Sequence, residues 1–185
     1  FYSDRSGRSE IWTVGADGAG LKQVSADPQV LYSVWSPDGT RIAGADVQNP
    51  LVSLFDPRRA AADQKPDRLP KFAGDFVIPS TWSPDGRKIA GHAPVGLVVY
   101  DVASRTYEHV SQTGGGAFPY WLGLDRLVYS NGGRLMLVNL ETKASREVLS
   151  VAPDSLRNFS VSGDGRHLAI SRGVTDGDIW MATIK

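Results

Sequence analysis

A short motif occurs twice in this chain and reappears in altered form in two further copies. "VWSPDGTRIAG" occupies residues 34–44 and "TWSPDGRKIAG" occupies residues 81–91, so both contain Trp-Ser-Pro-Asp-Gly followed later by Ile-Ala-Gly. The altered copies are "PYWLGLDRLVYS" and "FSVSGDGRHLAIS". Successive copies lie 47, 39 and 40 residues apart when they are aligned on Trp35, Trp82, Trp121 and Val161. Self-similarity at this period indicates a repeat architecture.

Each copy continues as a series of short apolar runs. The motif leads into "RIAGA", "KIAGH", "RLVYS" or "HLAIS", and then into "LVSLFD", "LVVYDV", "LMLVNL" or "IWMATI". A weaker alternating run such as "YEHVS" or "REVLS" follows. These runs are rich in Val, Ile, Tyr and Trp and bounded by Gly, Pro, Asp and Ser, which predicts strands. We expect almost no helix, apart from one helical turn near "RRAAA" at residues 58–62.

Four short antiparallel strands in about 40 residues describe one blade of a β-propeller. The sequence therefore predicts an all-β chain, a β-propeller of four-stranded antiparallel blades, with about four and a half blades in an incomplete ring. The first blade is expected to lack its innermost strand and the last its outermost strand, and closure with five blades is left open. The predicted single domain divides into a partial blade 1–25, blades 26–73, 74–112 and 113–151, and a partial blade 152–185.

The large aromatic residues recur at fixed places in the repeat. A propeller blade cannot bury both of its faces alone, so it must stack on its neighbours. We therefore expect the tryptophans to pack between blades rather than to bind a ligand. These residues are Trp12, Trp35, Trp82, Trp121 and Trp180.

The repeated Ser-Pro-Asp-Gly is explained by turn chemistry. In the second copy Pro84 fixes the backbone, Asp85 can accept hydrogen bonds from backbone N–H groups, and Gly86 can adopt the left-handed conformation. The same residues in the first copy are Pro37, Asp38 and Gly39. The motif is therefore predicted to join the innermost strand of a blade to the next strand. Because the two aspartates belong to different blades, a catalytic pair of carboxylates is not expected.

Composition excludes several classes of protein. The chain has 185 residues with 20 Lys and Arg against 20 Asp and Glu, which argues against a nucleic-acid-binding surface. It has no cysteine, so thiolate zinc sites and cysteine nucleophiles are excluded. No apolar stretch is long enough to span a bilayer. The abrupt start "FYSDRSG" is interpreted as a cut end, and composition leaves the compartment open.

No catalytic constellation is evident. A G-x-S-x-G nucleophile motif is absent, and His92, His109 and His167 fall at unrelated positions in the repeat. Asp176 and Asp178 are two residues apart, as in some calcium loops, but the other oxygen ligands are missing and a solvated turn is favoured. We therefore predict no catalytic residue, no cofactor and no metal site, and we expect the chain not to be an enzyme.

A binding surface remains as the candidate site. In a propeller the segments that link the blades enter the innermost strands at one face, where exposed aromatic and arginine side chains suit protein or peptide recognition. The candidate residues are Tyr32, Phe118, Tyr120, Arg157 and Asn158, with Pro79 at the corresponding position of the intervening blade. The alternative for Tyr32 and Phe118 is packing between blades.

The repeat resembles that of the TolB-type β-propellers, which are relatives of the Trp-Asp repeat. The resemblance rests on W-S-P-D-G-(K/R)-I-A, on I-W-x-V-x-x-D-G and on L-x-x-V-S, and is most specific at residues 34–44, 81–91 and 161–170. The last 26 residues are similar to the final blade of the sensor propellers found at the C-terminal ends of bacterial kinases and regulators. This likeness implies the C-terminal part of a longer propeller, with the rest of the propeller or an attached N-terminal domain as a partner. It also favours a bacterial periplasmic or extracytoplasmic location.

Two functions are consistent with these features. The first is a non-catalytic scaffold or sensor module that binds a protein or peptide. The alternative is the regulatory C-terminal propeller of a multidomain protein, such as a bacterial Ser/Thr kinase, a winged-helix transcription regulator or a prolyl-oligopeptidase-like peptidase. Neither function requires a cofactor or a nucleic-acid partner.

Overall fold

The apolar runs of the sequence form strands in the computed structural model, which describes residues 1–26, 30–46, 48, 51–73, 76–162 and 164–174, apart from the side chain of Arg157. Within these residues the strands make five antiparallel sheets in chain order, with three, four, four, four and two strands. The 3₁₀ turn at Ala61–Asp63 is the single helical element of this part of the chain, and it lies where "RRAAA" predicted one. The all-β prediction is confirmed.

Each sheet is a meander in which consecutive strands pair. The first sheet contains β1 (Tyr2–Ser3), β2 (Glu10–Thr13) and β3 (Lys22–Gln23). The second contains β4 (Val30–Trp35), β5 (Ile42–Asp46), β6 (Leu51–Phe55) and β7 (Asp67–Arg68). The third contains β8 (Ile78–Trp82), β9 (Lys88–Ala93), β10 (Gly96–Asp101) and β11 (Thr106–His109). The fourth contains β12 (Ala117–Leu122), β13 (Arg126–Asn131), β14 (Arg134–Asn139) and β15 (Ser145–Ser150), and the fifth β16 (Ser155–Val161) and β17 (Leu168–Gly173).

The first strands of the second, third and fourth sheets pack against one another. β4 packs against β8 and β8 against β12, as the innermost strands of β-propeller blades do. The prediction of about four and a half blades is corrected to five, because the described residues form five separate sheets. The first sheet has three strands in the described residues. The run that begins at Ile179, predicted as a strand of the last blade, lies outside those residues.

The core lies between the sheets. Ala43 and Leu54 of the second sheet are buried with Trp82 and Tyr100 of the third, and the Trp82 Nε1–H donates a hydrogen bond of 3.2 Å to the carbonyl oxygen of Val34. A second cluster joins the third and fourth sheets and contains Leu97, Val99, Trp121, Leu127 and Tyr129. The predicted packing of Trp82 and Trp121 between blades is therefore confirmed.

Trp35 does not follow this pattern. Its side chain is 48% exposed, so the prediction that it packs between blades is wrong. Trp82 is covered because it packs on the first strand of the preceding sheet, whereas the sheet before Trp35 lacks the equivalent strand in the described residues. Trp12 is half-buried, with the Arg5 guanidinium 5.0 Å from its ring centroid. Trp180 lies outside the described residues.

The repeated turn is a closed hydrogen-bond network. The Ser83 hydroxyl donates to Asp85 Oδ1 at 2.6 Å and accepts the Lys88 N–H at 2.9 Å, while Asp85 Oδ1 also accepts the Arg87 N–H at 3.1 Å. Gly86 has φ 70°, as predicted. The hydrogen bond from Ser83 makes the largest contribution to lowering the pKa of Asp85. Corresponding networks form around Ser36 with Asp38 and around Ser162 with Asp164. The motif therefore stabilises the hairpin turn, and the role of its serine is structural.

Candidate functional site

The candidate residues lie at one end of the first strands. We call this end the linker face, because the segments that join one sheet to the next reach the first strands there; the opposite end, with the Ser-x-Asp-Gly turns, is the turn face. Each first strand from the second sheet onward has a β-bulge near the linker face. Pairing shifts occur at Leu31/Val34, Pro79/Thr81, Ala117/Tyr120 and Leu156/Asn158. A bulge inserts an extra residue and changes the direction of its side chain.

Tyr32 and Phe118 occupy corresponding bulge positions in the second and fourth sheets. Their φ angles are 54° and 50°, in the left-handed region that bulky residues rarely adopt. Tyr32 is 42% exposed and Phe118 is 48% exposed, so packing between blades does not account for either ring fully. A strained backbone costs about 1–3 kcal/mol per residue and such residues cluster at functional sites. Here the strained conformation directs two aromatic rings toward solvent.

His92 holds Phe118 in place from the neighbouring sheet. Its Nδ1 accepts the backbone N–H of Phe118 at 3.3 Å, and the two rings make an edge-to-face contact with centroids 4.7 Å apart. An acceptor at Nδ1 requires the neutral ring with its proton on Nε2. Burial lowers the pKa of His92 to about 4, which favours that form. The histidine is therefore part of the support for the linker face.

Sequence reasoning missed this role of His92. The corresponding positions in the other copies are Ala45, Ser130 and Ser171, so a large ring stands where the repeat otherwise has small side chains. This departure from the repeat was the one feature of the sequence that could have pointed to a special role for His92. Its contact with Phe118 depends on the stacking of two sheets and has no counterpart in local sequence.

The other candidate residues lie at the junction of the fourth and fifth sheets. Tyr120 is half-buried and packs edge-to-face on Phe159 at 5.1 Å between ring centroids, so much of its surface is used between blades. Asn158 is exposed, and its Oδ1 accepts the N–H of Phe159 at 2.8 Å. Tyr120 and Asn158 line one open cleft of about 290 Å³. The side chain of Arg157 lies outside the described part of the structure.

We expect His92 to make stability depend on pH. Because its pKa falls from 6.5 in the unfolded chain to about 4 in the folded chain, its contribution is complete above pH 6.5 and is lost as the pH falls toward 4. Relative to His92→Gln, the wild-type chain should lose about 2 kcal/mol of unfolding free energy between pH 7 and pH 4, allowing for partial exposure of the ring. Urea unfolding at a series of pH values measures this difference. The control is His109→Gln, which changes an exposed histidine; parallel pH curves for wild type and His92→Gln would contradict the assignment.

The described residues contain no group of three or more His, Asp or Glu side chains arranged to hold a metal ion. Asp176 and Asp178, considered as calcium ligands above, lie outside this part of the chain. Among the same described residues, no helix has the length and apolarity that crossing a membrane requires.

Stacked antiparallel meanders that meet through their first strands define the fold as a β-propeller. No family model matches the sequence, and no curated protein is significantly similar to it. Solved structures do share the fold. TolB from Acinetobacter baumannii superposes with a TM-score of 0.69 at 17% identity, over 88% of this chain and 42% of that one.

Two further structures show how widely this fold occurs. Hydrazine synthase from Kuenenia stuttgartiensis has a TM-score of 0.67 at 19% identity, over 92% of this chain and 51% of that one. The Cps50 (Swd1) β-propeller domain from Myceliophteria thermophila has a TM-score of 0.63 at 16% identity, over 89% and 59%. The chain therefore spans about half the length of the structures that it matches. The sequence repeats resemble those of TolB-type propellers, and the folded chain superposes on a TolB structure as well.

Proposed function

We propose that this chain is a non-catalytic binding module that holds a protein or peptide partner on its linker face. The observation that carries the proposal is the pair of exposed aromatic side chains, Tyr32 and Phe118, on left-handed bulge residues. Aromatic side chains dominate the binding energy of many protein interfaces because they bury a large area with few rotatable bonds. A strained, half-exposed aromatic contributes little to folding, so a role in recognition is the better explanation of both positions.

The spacing of the two rings favours a macromolecular partner over a small ligand. Tyr32 belongs to the second sheet and Phe118 to the fourth, so a partner that contacts both must reach from one of these sheets to the other. Pro79, at the corresponding position of the third sheet, is buried, so the exposed aromatic rings of this face are those of the second and fourth sheets. The alternative, a regulatory propeller in a multidomain protein, uses the same face; its partner would then be another domain of the same protein.

The proposal can be tested by selecting peptides from a displayed library on the immobilised 185-residue chain. Binding of a selected peptide is then measured by fluorescence anisotropy for wild type, Tyr32→Gly and Phe118→Ala. Each substitution should weaken binding by about tenfold or more, the loss typical of an interface hot spot. The stability of Tyr32→Gly is a second readout, because glycine adopts φ 54° without strain and so removes the aromatic ring without a backbone cost. Its unfolding free energy should stay within about 1 kcal/mol of wild type.

The control is Leu124→Ala, which removes a 55% exposed apolar side chain from the turn between β12 and β13 on the turn face. It should leave peptide binding unchanged. Failure to select any peptide, or equal loss of binding in Leu124→Ala, would overturn the proposed site. Hydrolysis of peptide, ester or glycoside substrates by the purified chain would contradict the non-catalytic role.

A further inference from the structure

The second sheet carries a loop that the other four-stranded sheets lack. Between β6 and β7 the chain runs through residues 56–66, whereas β10 and β11 are joined by residues 102–105 and β14 and β15 by residues 140–144. This longer connection accounts for much of the 47-residue spacing between Trp35 and Trp82. It lies on the turn face, and with the turn between β4 and β5 it encloses a cleft of about 410 Å³.

The loop is held in one conformation by its own hydrogen bonds. The Gln64 side-chain amide donates to the carbonyl oxygens of Asp56 at 2.7 Å and of Arg59 at 3.2 Å. The Asp56 carboxylate accepts two hydrogen bonds of 2.8 Å from the Arg58 guanidinium and a third of 3.0 Å from the Arg58 backbone N–H. The cleft is therefore bounded by an ordered segment, which limits the entropy lost when a ligand binds.

The charge in this cleft is unbalanced, although the whole chain has equal numbers of acidic and basic residues. Its lining contains two carboxylates and four basic side chains, namely Arg41, Arg58, Arg59 and Lys65. Both carboxylates already have partners. Asp56 is bound by Arg58, and Asp67 accepts hydrogen bonds of 3.0 Å at both oxygens from Arg105 of the next sheet.

Two of the basic side chains have no such partner. Among the described residues, neither Arg41 nor Lys65 forms an ion pair within 4 Å, although Arg41 adds to the lowering of the Asp67 pKa after the larger effect of Arg105. Two cations that line the same cleft and form no ion pair within 4 Å in the described residues match a ligand that carries about two negative charges on one group. A phosphate near neutral pH has this charge and several acceptor oxygens. An arginine guanidinium binds such oxygens in a bidentate manner.

We propose that the cleft of Arg41 and Lys65 is a binding site for a phosphate group, carried by a small phosphomonoester or present as free phosphate. The volume is about that of a dozen water molecules at about 30 Å³ each, so it leaves room for an organic group beside the phosphate. The site is on the turn face and is independent of the linker face. Either proposal can fail without the other.

The test is calorimetric titration of the 185-residue chain with phenyl phosphate, inorganic phosphate and benzoate at low salt. Phenyl phosphate should bind with a Kd of about 1 mM or tighter. Arg41→Gln and Lys65→Gln should each weaken binding by about fivefold to tenfold, since each removes one charge-assisted contact. The matched control is Arg87→Gln, at a largely exposed arginine in the equivalent turn of the third sheet. It should bind phenyl phosphate as wild type does.

The arms of the titration separate the sources of the phosphate. Tighter binding of phenyl phosphate than of inorganic phosphate supports a phosphomonoester, and equal affinity supports free phosphate. Benzoate carries a single negative charge and tests whether the site requires a doubly charged group. It should bind at least about fivefold more weakly than phenyl phosphate. No binding of either phosphate, equal binding of benzoate, or equal loss of affinity in Arg87→Gln would overturn the proposal.

Discussion

Replacing Trp82 by alanine is expected to lower the free energy of unfolding by about 4 kcal/mol. The indole is 6% exposed and fills the space between the second and third sheets, so its removal leaves a cavity that the stiff strands around it cannot close. The Val34 carbonyl oxygen also loses the hydrogen bond from Nε1. Urea unfolding followed by circular dichroism measures the effect without depending on tryptophan fluorescence.

The repeat supplies a matched control for this prediction. Trp35→Ala removes the same side chain from the corresponding position of the preceding sheet, where it is 48% exposed. The expected loss is about 1 kcal/mol or less, as for other surface substitutions. Equal losses at Trp35 and Trp82 would show that the two indoles are equally covered in solution, which contradicts the arrangement of the first two sheets.

Gly91→Ala is expected to lower the free energy of unfolding by about 3 kcal/mol, near the upper end of the usual range for overpacking. Gly91 is the last residue of the repeated Ile-Ala-Gly and pairs with Pro79 across β8 and β9. A Cβ at this position would lie 2.4 Å from the carbonyl oxygen of Ile78. The clash is with backbone, so relief requires β8 to move away from its partner strand, and thermal or urea unfolding reports the cost.

Gly114→Ala is the control for Gly91→Ala. A Cβ at Gly114 meets no atom within 4 Å, and the residue is exposed in the segment before β12. Alanine reduces the entropy of the unfolded chain, so this variant should be as stable as wild type or slightly more stable. A loss at Gly114 comparable to that at Gly91 would mean that the cost does not arise from close approach of the two strands.

The sequence predicted those parts of the fold that depend on local chemistry. The turn at Ser83 is determined by a few consecutive residues, and the strands follow from short apolar runs, so both could be identified without knowledge of their neighbours. The burial of a tryptophan depends instead on which residues of the neighbouring sheet pack against its ring. Trp35 and Trp82 occupy the same motif, yet one is exposed and the other buried, and no property of the motif distinguishes them.

The candidate site was predicted less completely. Spacing from the motif located Tyr32 and Phe118 at the linker face, because position in a repeat determines position in the propeller. Their left-handed backbone could not be predicted, since neither tyrosine nor phenylalanine favours positive φ. The role of His92 was also missed, because it depends on a contact between two stacked sheets.

The pairing of consecutive strands within each sheet has a consequence for how the chain folds. Every described strand pair joins segments that are adjacent in sequence, so the loops that must close are short. Such a topology keeps the contact order low for an all-β protein, and low contact order favours rapid folding. During synthesis the strands of each meander can pair once they have left the ribosome, and the meander becomes stable when the next one docks on it and buries its exposed face.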